Sequence, residues 1–172
     1  MRIVITGAPG TGKTSIINSL KQRGFNCIDE ISREIISNQI ANGGDALPWK
    51  NLTSFSERVF TLRESQLLNS KPITQFFDRG TVDVYAYMKA DSLKIPKSFI
   101  SSINENKYHN VVFITPVWKE IYKNDSERQE SFKQAINIEK RIKDSYKKFG
   151  YILIEIPKLK VEDRVDFILS KI

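Results

Sequence analysis

Short apolar runs alternate along the chain with stretches whose apolar residues recur every three or four positions. Ile3-Val4-Ile5 predicts a strand over Arg2 to Thr6, and a helical pattern follows from Lys13 to about Arg23, where Gly24 supplies a C-terminal cap. A short strand, Asn26 to Asp29, leads to a helix over Ser32 to Ala41, and Asn42-Gly43-Gly44-Asp45 with Pro48 breaks the pattern. A longer helix starts near Thr53, read as its cap, with Phe55, Val59, Leu62 and Gln66 as its packed face and Phe60 and Leu67 beside it. Further strands are expected at Ile73 to Phe77, Val111 to Ile114 and Tyr151 to Ile156. Helices are expected at Thr81 to Ala90, Lys97 to Asn106, Ser131 to Lys148 and Val161 to Ser170.

Strands that alternate with helices predict an α/β architecture on a mainly parallel sheet. The first, third and fourth strands are the most apolar, as strands covered on both faces should be. Right-handed crossovers put all strand C-terminal ends on one edge, where open α/β sheets bind ligands. Gly7, Glu30, Asp78 and Pro116 are therefore expected to converge.

The residues after the first strand carry specific chemistry. Gly7-Ala8-Pro9-Gly10-Thr11-Gly12-Lys13-Thr14 has the GxxxxGK[ST] spacing of a phosphate-binding loop between a strand and a helix. Glycines let successive N–H groups point at one anion, and the start of the helix adds its positive end. The reading places ATP on residues 7 to 15, Ser15 included, with Lys13 on the β- and γ-phosphates and the Thr14 hydroxyl on Mg²⁺.

Asp78 ends the apolar strand Phe76-Phe77-Asp78, where a carboxylate holds Mg²⁺ beside the phosphates. Thr81 fits the helix cap better than Asp78 does, and Asp83 reads as a favourable charge in the first turn. Arg79 is placed to hold a phosphate or to pair with a nearby carboxylate. Glu30, preferred over Asp29, is a candidate to reach the acceptor hydroxyl and take its proton, with Arg33 one turn away as a salt-bridge partner. The polar segment 117–130 is a candidate lid carrying Lys119, Lys123 and Arg128, with Arg128 favoured to neutralise the transferring phosphoryl group. Trp49 is read as a core cap rather than a base-stacking residue, and His109, the single histidine, as a surface residue.

Composition narrows the alternatives. A chain of 172 residues fits one domain over 1–172, and no apolar stretch is long enough to cross a bilayer. The chain passes from Met1 straight into a strand, leaving no room for a leader, and its one cysteine, Cys27, has no internal partner. Together these point to the cytoplasm. The net charge of +7 is scattered among acids, as in Ser126-Glu127-Arg128-Gln129-Glu130, which argues against nucleic acid as a partner. The shortage of histidine and cysteine gives no support to a zinc cluster or a Ser-His-Asp triad. Thr115-Pro116-Val117-Trp118 lacks a guanine-reading motif, which favours ATP over GTP.

The phosphate loop, Glu30-Ile31-Ser32-Arg33-Glu34, Phe77-Asp78-Arg79-Gly80 with Asp83, Asp125-Ser126-Glu127-Arg128 and the closing strand Tyr151 to Pro157 together resemble the small NadR-like AAA domain. This is a P-loop NTPase group related to ribosylnicotinamide kinases and to nucleoside and nucleotide kinases. The resemblance implies a three-layer fold with a five-stranded sheet in the order 2-3-1-4-5. It also implies a base or substrate ligand at Glu30, metal and phosphate contacts at Asp78 and Arg79, and an ATP contact at Arg128. The resulting expectation is an ATP- and Mg²⁺-dependent kinase whose catalytic residues are Lys13, Glu30, Asp78, Arg79 and Arg128, acting on an unidentified nucleoside-like acceptor. Arg79 stands where a dedicated ATPase often has the glutamate that orients water. A regulatory ATPase with a protein partner is the alternative, and an oligomer is compatible with the sequence.

Overall fold

The computed structural model describes residues 1–121 and 131–172. In chain order the elements are β1 (Arg2–Gly7), α1 (Lys13–Gln22), β2 (Asn26–Ile28), α2 (Ser32–Ala41), α3 (Leu52–Leu68) and β3 (Gln75–Asp78). They continue with α4 (Thr81–Ala90), α5 (Lys97–Glu105), β4 (Val111–Thr115), α6 (Phe132–Lys148), β5 (Ile152–Glu155) and α7 (Val161–Leu169). The strands form one parallel five-stranded sheet in the order β2-β3-β1-β4-β5, as expected.

Alternation along the strands divides the core between the two faces of the sheet. Ile3, Ile5, Phe76 and Phe113 pack against Ile16, Ile17 and Leu20 of α1 and Val165 and Ile168 of α7. Val4, Phe77, Val112 and Ile114 pack on the other face against Val59 and Phe60 of α3, Val82 and Met88 of α4, and Ile142 and Tyr146 of α6. The central strands β1, β3 and β4 are almost wholly buried, while the edge strands β2 and β5 are partly open.

Four local expectations change. Strand β3 starts at Gln75 rather than Ile73, because Gln75 N–H donates to the Met1 carbonyl where β1 begins, leaving Ile73 45% exposed. The cap of α3 is Asn51, whose side chain accepts the Ser54 N–H, not Thr53. The buried arc of α3 runs through Ser56, Val59, Phe60, Arg63 and Leu67, so Leu62 is 41% exposed and an arginine takes its place inside. Trp49 is not a core cap: Ala46 and Leu47 fill that space and Trp49 is left 64% exposed.

Parallel pairing and register decide which residues meet. Gly7 lies opposite Thr115, and Ile5 opposite Asp78. Ile28 pairs with Phe77, so Glu30 follows immediately beyond the same edge. The phosphate loop, Glu30, Asp78 and the end of β4 thus share one end of the sheet.

Candidate functional site

The loop between β1 and α1 closes on itself. Lys13 is buried, and its Nζ donates to the carbonyls of Gly7 (3.0 Å) and Ala8 (2.7 Å), spanning the loop. Burial, followed by the charge of Arg79, lowers the Lys13 pKa to about 7. Gly10 lies at φ 74° and Gly12 at φ 83°, so the loop enters α1 through a left-handed residue that a side chain would strain. At Gly7, with φ 144°, lack of space adds to the constraint: a Cβ there would lie 2.2 Å from the Thr115 hydroxyl. Thr11 is anchored by its own hydroxyl, which donates to the Ala8 carbonyl and lies 2.6 Å from the hydroxyl of Thr115. Thr14 and Ser15 stand exposed in the first turn of α1, directly after Lys13.

Beside the loop lies a network of ionised side chains. Glu30 accepts from Ser32 N–H (3.1 Å) and Ser32 Oγ (2.8 Å) and from Arg63 Nη2, all on Oε1, while Oε2 meets Arg79 Nε at 2.7 Å. Burial alone would raise the Glu30 pKa, but the charges of Arg63 and Arg79 with the two Ser32 hydrogen bonds bring it down to about 2. Arg63 also donates through Nη1 to the Asp78 carbonyl at 2.9 Å. Arg79 sits at φ 71°, a strained conformation for a side-chain-bearing residue, with its guanidinium 5.5 Å from the centre of the Tyr87 ring.

Asp83 is buried at the hub of a second cluster. It accepts from Gly80 N–H (2.8 Å), Tyr146 Oη (2.6 Å) and Thr6 Oγ1 (2.5 Å), and pairs with Arg79 at 3.4 Å. It is thus more than a charge in the first turn of α4: it ties β1, α4 and α6 together. The N-cap of α4 is Gly80, whose N–H Asp83 accepts, so Thr81 is not the cap.

The donor set can be tested against a polyphosphate and a divalent cation. Asp78 is buried, and its Oδ1 has no hydrogen-bond partner among the described residues. Burial raises its pKa, against the pull of Lys13. A buried, unmatched oxygen at a strand end beside an ammonium-spanned glycine loop fits a cation held next to phosphates. No cluster of three or more His, Cys, Asp or Glu side chains suited to a metal occurs among the described residues, so a cation here would depend on hydroxyl and phosphate oxygens as well.

With this geometry in place, residues 2–164 match the family described as AAA domain. The chain belongs to the AAA domain family. No curated protein matches it. Deoxyadenosine kinase from M. mycoides with bound dCTP has a similar structure, with a TM-score of 0.68 at 19% identity over 99% of this chain and 98% of that one. The same kinase with products dCMP and a flexible dCDP gives 0.71 at 18% identity, over 99% of this chain and 97% of that one. NadR protein in complex with NR gives 0.71 at 15% identity; 98% of this chain is covered but only 50% of that one. These likenesses establish a shared fold.

In this AAA domain, Gly7 to Ser15, Glu30, Asp78 and Arg79 come together at one edge. Asp29 does not join them: it is exposed and paired with Lys21 at 2.6 Å. Of the candidate lid, only 117–121 are described, with Lys119 exposed; Lys123 and Arg128 lie outside the described residues. His109 is half-buried, its Nδ1 accepting the Val111 N–H. Cys27 packs against the core, where burial raises its pKa to about 11. Sequence reasoning missed Arg63, Thr115, Tyr146 and Arg164. The signal for Arg63 was present: an arginine at helical spacing from Val59, Phe60 and Leu67, inside the apolar arc. Among the described residues no helix is long and apolar enough to cross a membrane.

Proposed function

We propose that the chain is an ATP- and Mg²⁺-dependent kinase that transfers the γ-phosphoryl group to a hydroxyl of a nucleoside-like metabolite. The observation that carries this reading is the carboxylate of Glu30. One of its oxygens is saturated by Arg63 and Ser32, and the other faces Arg79 beside the phosphate loop. That second oxygen is the one with accepting capacity left for an incoming hydroxyl.

The loop amides and Lys13 hold the β- and γ-phosphates, with Ser15 at the opening of α1. Thr14 and Asp78 are the residues that would hold Mg²⁺, which when bound neutralises phosphate charge and orients the transferred group. With a pKa of about 2, Glu30 is too weak a base to take a proton early. Its role is to orient the acceptor hydroxyl, and a loose transition state asks for little more. Arg79, held by Glu30 and Asp83, stands next to the hydroxyl and meets the developing charge. Arg128 is assigned the same task from the lid side. A glutamate in place of Arg79 would orient water; a guanidinium there supports transfer over hydrolysis. The nucleotides named with the matched structures, dCTP and dATP for deoxyadenosine kinase and AMP-PNP for NadR, support ATP in this site. The dCMP product bound to deoxyadenosine kinase and the NR bound to NadR support a nucleoside-like acceptor. A cytoplasmic setting fits the single free cysteine.

The test is incubation with Mg-ATP, with and without a panel of nucleosides and cofactor precursors, following ADP and new phosphorylated product. An acceptor-dependent product is expected, and Lys13→Ala should abolish it. ADP release that no acceptor changes would replace the kinase by a regulatory ATPase.

A further inference from the structure

Arg164 lies on α7, far in sequence from the phosphate loop, yet its guanidinium reaches that loop. The side chain is buried, with 3% of the residue exposed, and Nη2 donates to the Thr11 carbonyl at 3.0 Å. A Cβ at Gly12 would sit 2.8 Å from Nη1, so the missing side chain of Gly12 makes room for the guanidinium as well as allowing the turn. Nε has no hydrogen-bond partner, and no carboxylate pairs with Arg164 among the described residues. Burying a cation is costly, and burial lowers the Arg164 pKa. The fold keeps it nonetheless, against the backbone of the loop that would receive an anion.

Peptide geometry gives the contact a consequence. In a trans peptide the C=O and the following N–H point to opposite sides. Drawing the Thr11 carbonyl toward α7 therefore turns the Gly12 N–H away from α7. The Thr11 side chain is held from a different direction, by Thr115 at the end of β4. Thr11 is thus clamped on both sides, by its hydroxyl to β4 and by its carbonyl to α7.

Resting on the nucleotide-binding reading above, we propose that Arg164 is a positioning residue of the phosphate site. It fixes the Thr11–Gly12 peptide so that the Gly12 amide faces the polyphosphate, and its charge, which no carboxylate among the described residues pairs, is balanced when that anion is bound. It does not touch the phosphates; it acts through the loop. Neutral ligands gain nothing from it, and polyphosphates gain both an aimed donor and a favourable field.

The experiment is titration calorimetry of the full chain with Mg-ATP at several salt concentrations, on wild type, Arg164→Met and Arg164→Lys. Thermal unfolding of each is recorded without nucleotide. For Arg164→Met, ATP affinity should fall by about tenfold or more, and its salt dependence should flatten because a fixed charge is gone. Arg164→Lys keeps the charge but not the planar fork, so the salt dependence should return with only part of the affinity. Without nucleotide, Arg164→Met should unfold within a few degrees of wild type or above it, since the substitution removes a buried charge that no described carboxylate pairs. A merely structural arginine gives the reverse pattern, with a lower unfolding temperature and wild-type ATP affinity in the folded protein. ATP affinity within about twofold of wild type in both variants overturns the proposal. Should Arg164→Met fail to fold, Arg164→Lys decides alone: reduced affinity with the salt dependence kept supports the proposal, and wild-type affinity overturns it. Failure of the wild-type chain to take up Mg-ATP is a separate result, and it removes the nucleotide-binding reading together with this one.

Discussion

Arg63 on α3 donates to the carboxylate of Glu30, which precedes α2, and the two form a nearly enclosed ion pair with side chains 2% and 20% exposed. The same guanidinium holds the Asp78 carbonyl, so one side chain joins the ends of β2 and β3. Removing one partner of such a pair leaves the other charge buried and unmatched, at about 3–5 kcal/mol. Arg63→Ala should therefore lower stability by roughly 3 kcal/mol, read from urea unfolding, with Arg79 remaining as the lesser partner of Glu30. A change under about 0.5 kcal/mol would show that the pair has little role in stability.

The acid limb of stability should carry the signature of Glu30. Its pKa falls from an ordinary 4.5 to about 2 on folding, chiefly because the Arg63 and Arg79 charges overcome burial. Between those values the unfolded chain binds a proton that the folded chain does not. The stabilisation is therefore complete above about pH 4.5 and is lost as pH falls toward 2. Glu30→Gln should flatten unfolding free energy against pH in this window; an unchanged slope would contradict the assignment.

Phosphoryl transfer and nucleotide binding should separate at Glu30. Glu30→Gln keeps the shape and the Ser32 contacts but loses the negative charge that orients the acceptor. Transfer should fall by about 10²-fold or more, while Mg-ATP affinity measured by calorimetry stays near wild type. Loss of ATP binding would place Glu30 in the nucleotide site instead.

Asp78→Asn should divide stability from chemistry. The carboxylate is buried with Oδ1 unmatched, so making it neutral should leave the nucleotide-free protein as stable as wild type or more so. The Mg²⁺ dependence of ATP turnover should weaken strongly. A marked loss of stability with normal Mg²⁺ dependence would make Asp78 a structural residue.

Tyr146→Phe removes the hydroxyl that donates to buried Asp83 at 2.6 Å. Leaving that carboxylate short of a donor should cost about 1–3 kcal/mol, or roughly 2–12 °C in unfolding temperature for a chain of this size. Because Asp83 also steadies Arg79, turnover should fall with it, while ATP affinity holds.

Most elements and the phosphate loop were legible because they depend on near neighbours. Helices α2 and α4 fall where the period and the breakers placed them, Ser32–Ala41 and Thr81–Ala90. Glycine spacing after an apolar strand marked the loop, since the backbone there needs residues without side chains. Asp83 was underestimated for the opposite reason: a carboxylate in a first helical turn has a sufficient local explanation, and nothing nearby shows Thr6 and Tyr146 closing around it. Leu62 was expected inside because hydrophobicity ranks a leucine inward, whereas pairing with Glu30 draws Arg63 in instead.

Short-range chemistry in the chain thus prescribed an α/β alternation, a glycine loop able to curl around an anion, and carboxylates at the strand ends. Only the folded sheet, through its register and crossovers, brought Glu30 under two guanidinium groups, set Thr115 against Gly7 and Thr11, and carried Arg164 to the same loop from α7. The reason is physical. Backbone preferences and periodicity act over a few residues, but the worth of a buried charge depends on what the rest of the chain packs beside it.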